Sequence, residues 1–321
     1  MNTQVSVVYS TFRDDPGFEW FARGLARQLG DDHVEVVVVD GSGLDRADEL
    51  AAAAGDAFEL VWLPAKPTVM NGPHRRTSRD LHAASSARNT GLVASTQPYV
   101  VFVDDCSVPG PRWWESVREA SRQHYVVGGS YEKRTGMVVE DGRLTAGTTI
   151  GRDIRWDDGD DRIVVPIPAS HLFGCTIGAP REALIAVNGF DELCDGTGGE
   201  DCQLGLRLEH AGHRLFYDRS MMTVESHDLH VGQGQSVGRI DPRISPEEYM
   251  SMLALNGVER RSTTGGHDAS HMALDLVLGL RSVASLGNHY DLATLEVGDL
   301  DATADDLPDR FWFDGRPFDE L

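Results

Sequence analysis

Residues 99–109 read Tyr-Val-Val-Phe-Val-Asp-Asp-Cys-Ser-Val-Pro. Tyr99 to Val103 form a short apolar run, mostly β-branched, that suits a strand buried on both faces. It ends at two adjacent acids, Asp104 and Asp105. Unpaired carboxylates are costly to bury, so these belong at the mouth of the strand, facing a cation or a polar ligand. In open α/β sheets ligands bind beyond the carboxyl ends of the strands. The plainer alternative is that both acids only shape the turn before Pro109.

Working outward, Val5 to Tyr9 and the β-branched Val34 to Val39 read as strands on either side of a helix over 18–29. In that helix Phe18, Phe21, Ala22, Leu25 and Leu29 share one face. The second strand ends at Asp40-Gly41-Ser42-Gly43, followed by an Ala-rich helix over 45–54 and a strand over 58–63. This β-α-β-α-β order predicts a parallel sheet with right-handed crossovers. A basic stretch follows, with Lys66, His74, Arg75, Arg76 and Arg79, and could bind phosphate or balance nearby acids. A helix over 82–94 carries Ala87-Arg88-Asn89-Thr90-Gly91.

Beyond the acid pair, a helix is expected over 113–122 and a strand over 125–131. An irregular excursion over 132–168 would contain a hairpin at Asp141-Gly142. Then come a strand over 172–177, a helix over 180–187 opening on Pro180, and a glycine-rich turn over 196–199. Glu200-Asp201 opens a helix with Leu204, Leu206, Leu208 and Ala211 as core candidates. A short strand is expected over 213–218, before Ser226-His227-Asp228-Leu229-His230. The glycine-rich stretch 232–239 suits a mobile lid. Helices are expected over 246–255 and 269–285, before an acidic, then aromatic, tail.

The 321-residue chain, 40% hydrophobic, can hold one large α/β domain with additions or two small ones. With 29 Lys+Arg against 51 Asp+Glu the net charge is −22, which argues against nucleic acid and anionic lipid as partners. Lys66 and Lys133 are its only lysines. Cys106, Cys175, Cys194 and Cys202 lack the spacing of a zinc cluster or redox dithiol, and a reduced, cytoplasmic setting is the simplest reading. The first strand starts at Val5, which leaves no visible signal peptide, and no apolar run approaches membrane-spanning length.

Several of these segments, in this order, resemble the family 2 glycosyltransferases of GT-A fold. They are Val5 to Arg13, Val36 to Asp40, Ala87 to Gly91 and Val100 to Asp105, then Gly174-Cys175-Thr176, Arg181-Glu182-Ala183-Leu184, Gly189-Phe190-Asp191-Glu192 and Gly199-Glu200-Asp201. The match spans roughly residues 5–230. Each motif is weak alone; together, in order, they are specific.

The resemblance implies an α/β GT-A domain over 1–240, with a mostly parallel central sheet flanked by helices, and a helical extension over 241–321 packed on it. It implies a hexosyltransferase-type enzyme that moves a sugar from a nucleoside diphosphate sugar (a UDP- or GDP-sugar) to a hydroxyl of a glycan, small molecule or protein, with inversion. Mn²⁺ or Mg²⁺ would neutralise the diphosphate. By the match, Asp104 begins the Asp-x-Asp motif, and its usual last acid is replaced by Cys106. Either Asp105 takes that role, or Cys106 does, or the ion is weakly held. Carboxylate ligation by Asp104 and Asp105 is favoured, because thiolate is soft. His227 would complete the metal site, with His230 as competitor. Asp40 would bond the base or ribose, Thr11 and Arg13 would line the base pocket, and Arg88 would meet a phosphate or Asp104. Asp201 would be the general base, with Glu200 orienting it or the acceptor.

Three other readings remain. A nucleotidyltransferase would need a glycine-rich basic loop after the first strand, which Ser10 to Asp15 lacks. A non-catalytic nucleotide-sugar-binding protein is suggested by Cys106. A glycosyltransferase acting on modified DNA would need a basic track, which only Arg75 to Arg79 offers.

Overall fold

A computed structural model describes residues 4–66, 83–160, 163–192, 199–232 and 291–300. His74, Arg75, Arg76, Arg79, Cys194, the turn at 196–198, the stretch 233–239, the helices expected over 246–255 and 269–285 and the residues from 301 on lie outside the described residues.

Strand β1 (Val5–Thr11), helix α1 (Phe18–Leu29), β2 (Glu35–Asp40), α2 (Ala47–Ala54), β3 (Glu59–Pro64), α3 (Ala84–Ala94) and β4 (Tyr99–Asp104) form the first half. The short β5 (Ser107–Pro109), α4 (Trp113–Gln123), β6 (Val126–Glu140), β7 (Arg143–Arg152), β8 (Val165–Pro166) and β9 (Thr176–Pro180) follow. Next are α5 (Arg181–Ala186), α6 (Glu200–His210), β10 (Leu215–Ser226) and α7 (His227–Gly232). The strands form one mixed sheet in the order β3-β2-β1-β4-β9-β6-β10-β5, with β7 beside β6 and β8 beside β10. β3, β2, β1 and β4 are parallel, while β9 runs against both β4 and β6. This is the mostly parallel, helix-flanked sheet of the GT-A fold.

The β-branched runs are buried on both faces, as their unbroken hydrophobicity demands. Val5, Val7 and Tyr9 pack with Phe21, Leu25, Trp113 and Val117 on the side of α1 and α4. Val8 and Phe102 pack with Leu92, Phe190, Leu184 and Leu204 on the side of α3, α5 and α6. Leu292, from the described C-terminal piece, joins this second core, and its amide donates to Asn188 Oδ1 at 2.8 Å.

Helix α3 is buried all round, polar residues included, because each has a partner. Asn89 Nδ2 donates to the Phe190 carbonyl at 2.9 Å, and the Phe190 amide returns a bond to Asn89 Oδ1 at 2.8 Å. Thr90 Oγ1 receives the Lys66 amide at 3.0 Å. Gly91 is where α3 crosses β1: a Cβ there would run into both methyls of Val8. Lys66, fully buried, pairs with Glu192 at 2.6 Å rather than standing in a solvated basic loop.

The structure differs from the sequence reading in four places. The region 132–168 is not wholly an excursion: β6 runs on to Glu140 and turns at Asp141-Gly142, both at positive φ (49° and 70°), into β7. The strand expected over 172–177 starts only at Thr176, because the Gly174 amide is given to Asp201 instead of a neighbouring strand. The strand expected over 213–218 continues to Ser226 through a register shift after Asp218. Ala211 is exposed, since α6 ends at His210.

Candidate active site

Parallel register brings the site together. Thr11 is level with Asp40, and Ser10 with Asp104, so β1, β2 and β4 end at one edge. Asp105 sits just past that edge and is buried. Thr11 Oγ1 donates to its Oδ2 at 2.7 Å and Arg13 Nε to its Oδ1 at 3.1 Å. Burial pushes the Asp105 carboxyl up to about 6, against the pull of Arg13 and Thr11. Thr11 and Arg13, expected in a base pocket, here hold this acid.

Cys106 is fully buried with a left-handed backbone, φ 56°. Its amide donates to the Pro16 carbonyl at 2.7 Å, and its own carbonyl receives the Ser226 amide at 2.9 Å. Ser107 Oγ closes the turn on the Asp104 carbonyl at 2.8 Å. Burial, then the charge of Asp105, raises the Cys106 thiol well above the usual range.

Strand β10 leads into α7 at this same edge. Asp228 on α7 accepts Thr135 Oγ1 at 2.5 Å and the Gly136 amide at 2.6 Å, which fastens α7 to β6. His227 is left exposed. His230, one turn on, places Nε2 3.8 Å from Asp105 Oδ1, and Arg13 Nη1 donates to its carbonyl at 3.2 Å. Burial, then the charges of Arg13 and Lys133, holds the His230 imidazole down at about 3, in its neutral form. The geometry therefore brings His230, not His227, to the acid pair. The candidate ligand atoms of Asp105, Cys106 and His230 all lie within 4.8 Å of one another.

Asp104 faces the other way. Its Oδ1 receives Arg88 Nη2 at 2.8 Å, while Arg88 Nη1 donates to Glu200 Oε1 at 2.6 Å. Burial alone would lower Arg88, but the charges of Asp104 and Glu200 raise it further above neutrality. Beside Glu200, Asp201 accepts the Gly174 amide on Oδ2 and the Cys202 amide on Oδ1, each at 2.7 Å. Burial, then the Glu200 charge, lifts its carboxyl above the ordinary range, as a proton acceptor near neutral pH requires.

Asp40 lies at the end of β2 with its side chain 1% exposed. Arg46 Nε and Nη2 hold its Oδ2 at 2.8 and 2.6 Å, and the Ser42 amide holds Oδ1 at 2.8 Å. Arg46 was not singled out from the sequence; the Asp-x-x-x-x-x-Arg spacing across the Gly41–Gly43 loop was the available signal. Glu225 was missed as well. It lies on β10 opposite Ser107 and across from Lys133 of β6, whose Nζ is 3.6 Å away. Burial pushes its carboxyl up to about 7, Lys133 opposing and Asp104 and Asp105 adding to the rise.

The glycosyl transferase family 2 model matches residues 6–185, more than half of the chain. The chain belongs to glycosyl transferase family 2. A model described as the N-terminal domain of galactosyltransferase matches residues 161–229, which takes in α5, α6 and β10. This family 2 protein is 25% identical over 245 residues to validoxylamine A glucosyltransferase of Streptomyces hygroscopicus subsp. limoneus, covering 69% of the chain and 51% of the relative. The chain thus spans about half the length of the curated relative it matches. In fold it is similar to S. aureus TarS 1-349 in complex with UDP-GlcNAc, at a TM-score of 0.51 and 13% identity over 87% of this chain and 72% of that one. The complex of TarS 1-349 with UDP gives the same TM-score over 87% and 71%. Among the described residues no helix is long and apolar enough to cross a membrane.

Proposed function

We propose that this family 2 enzyme transfers a sugar from a nucleoside diphosphate sugar to a hydroxyl acceptor by direct displacement, with inversion. The observation that carries the reading is Asp201. It is a carboxylate fixed by two backbone amides, raised in pKa and set beside the Arg88 bridge to Asp104 at the ends of the parallel strands. Asp201 takes the proton of the acceptor hydroxyl as that oxygen attacks the anomeric carbon. Glu200, held by Arg88, keeps the start of α6 in place. Arg13 and Lys133 supply positive charge on the side where a diphosphate leaves. The UDP-GlcNAc complex of TarS and the glucosyltransferase relative support the donor class.

A divalent ion is part of this proposal. The donor set at the acid turn fits one, since a carboxylate and a thiol of the turn after β4 meet a neutral imidazole from α7 there. Asp105 and His230 would hold it with Cys106, while Asp104 is engaged by Arg88 on the other side of the turn. When bound, the ion supplies Lewis-acid stabilisation to the departing diphosphate.

The test is a thermal-shift screen of UDP- and GDP-sugars with divalent ions, followed by assay of released nucleoside diphosphate with and without sugar-alcohol acceptors. A shift with one donor and acceptor-dependent release is expected. If no nucleotide sugar shifts the melting temperature, the reading fails. Binding without release under any acceptor or ion leaves a non-catalytic nucleotide-sugar-binding protein.

A further inference from the structure

Arg155 is a buried cation that the site described above does not use. Its Nε and Nη2 hold Asp153, Nη2 also donates to the Gly129 carbonyl of β6 at 2.7 Å, and Nη1 donates to the His171 carbonyl at 2.8 Å. The guanidinium lies 4.6 Å from the centre of the Phe173 ring and 4.5 Å from that of Tyr217. His171 and Phe173 lead into Gly174, whose amide donates to Asp201 Oδ2 at 2.7 Å. From this line of contacts we infer that Arg155 is a positioning residue for Asp201. It shapes the loop 169–174 so that the Gly174 amide meets the carboxylate and, with its side chain fully buried, touches neither donor nor acceptor. The inference rests on the transfer reading for the role of Asp201 as base, and on geometry alone for the placing of its carboxylate.

The loop is clamped from two sides. On one side is α6. Cys202 Sγ donates to the Ser170 carbonyl at 3.1 Å, and a Cβ at Gly205 would come 2.2 Å from the Ala169 carbonyl oxygen, so α6 lies directly on the start of the loop. On the other side Arg155 ties the loop to β6. Take the guanidinium away and the His171 carbonyl must turn to find another donor, carrying Phe173 and Gly174 with it. A buried ion pair is weak evidence for stability, since apolar residues of like volume often serve as well. What distinguishes Arg155 is the span of its fork. It reaches an acid, two carbonyls and two ring faces at once, which an ammonium cannot do.

The groups that face Asp201 are Glu200 on α6, Arg88 on α3 and the amides of Cys202 and Gly174. Of these, the Gly174 amide is the one that Arg155 governs. A donor lost from a carboxylate makes its charged form less favourable, so a relaxed loop raises the midpoint of Asp201. Misplacing a catalytic group by about 1 Å lowers a rate by about 10²-fold, even when the cause lies far from the chemistry.

The experiment follows the Gly174 amide resonance of the isotope-labelled full chain as pH is varied, which needs no substrate. In the parent it should titrate with Asp201, and in Asp201→Asn it should not. Gly128→Ala sets a methyl carbon 2.8 Å from Arg155 Nη1 and displaces that nitrogen without removing a buried charge. Arg155→Lys keeps a charge beside Asp153 and loses the fork. In both variants the resonance should move upfield and its midpoint should rise, and kcat should fall by about 10- to 100-fold with donor KM unchanged. Turnover is read as nucleoside diphosphate released from the donor that the thermal-shift screen selects. Val117→Ala, in the core on the side of α4, should lower the melting temperature and change neither midpoint nor kcat. If Arg155→Lys does not fold, Gly128→Ala carries the test. An unmoved Gly174 resonance in folded Gly128→Ala, or an equal movement in Val117→Ala, overturns the inference. Asp201→Asn with parent transfer removes the base reading and leaves Arg155 placing that carboxylate. Transfer lost in Asp201→Asn but kept at the parent rate in Gly128→Ala removes this inference and leaves the base reading.

Discussion

Arg88 Nη1 donates to Glu200 Oε1 at 2.6 Å, joining the middle of α3 to the first residue of α6 across 112 positions of sequence. The same guanidinium reaches Asp104, so one buried cation holds two acids on separate elements. Arg88→Ala leaves the Glu200 carboxylate without its charge partner, and breaking a buried pair in this way costs about 3 kcal/mol or more. Denaturant unfolding should show that loss. Arg88→Lys should recover only part of it, because an ammonium cannot span both carboxylates as the planar fork does.

Asp201→Asn keeps the shape of the side chain but cannot take a proton. Transfer should fall by about 10²–10⁴-fold, while nucleotide-sugar affinity, followed by calorimetry, stays at the parent value. In the parent, kcat should rise with pH through an ionisation above the ordinary carboxylate range, since burial and Glu200 raise the Asp201 carboxyl. Loss of nucleotide-sugar binding in Asp201→Asn would contradict its role as base.

His230→Ala should weaken divalent-ion binding, read by titration, and His227→Ala should leave it unchanged. The exposed position of His227 and the 3.8 Å approach of His230 to Asp105 set this order. The reverse result would restore His227 as the ligand.

A methyl at Gly91 has no room, because Val8 fills the space. Gly91→Ala should destabilise the fold by about 1–3 kcal/mol through overpacking. Adding Val8→Ala should restore part of the loss, so that the two substitutions couple in a double-mutant cycle. Additive losses would show that α3 and β1 part without cost.

Glu225 gives a pH signature. Burial pushes its carboxyl up to about 7 in the folded protein, above the ordinary value of 4.5. Between those values the folded state holds a proton that the unfolded chain has released. Stability from this group is therefore full below pH 4.5 and is lost as pH rises toward 7. Unfolding free energies at pH 5 and pH 7 should differ less in Glu225→Gln than in the parent.

Much of the fold could be read from local pattern. The β-branched runs became β1, β2 and β4, and α1 buries the face that its spacing marks. Arg88 links Asp104 to Glu200, the residue before Asp201, and all four had been singled out as site candidates. What was hidden depends on pairing between distant segments. Glu225 meets Lys133 only because β10 lies parallel to β6, and neither residue stands in a recognisable motif. Asp105 and His230 are brought together by α7, whose seat on β6 depends on Asp228. Arg155 was hidden in the turn after β7, within the region 132–168 expected to be an irregular excursion. It is fully buried, holds Asp153 through Nε at 2.9 Å, and lies between the rings of Phe173 and Tyr217. Its partners come from the chain on both sides of that turn, so spacing alone carried no sign of it.

The left-handed backbone at Cys106 has a consequence for how this loop can change. Asp and Asn enter that conformation more readily than other side chains that have a Cβ, while β-branched residues resist it. Exchanging sulfur for oxygen at this one address therefore leaves the path of the main chain as it is. Whatever replaces the sulfur must still be small and partnered, because the position is fully buried beside Asp105.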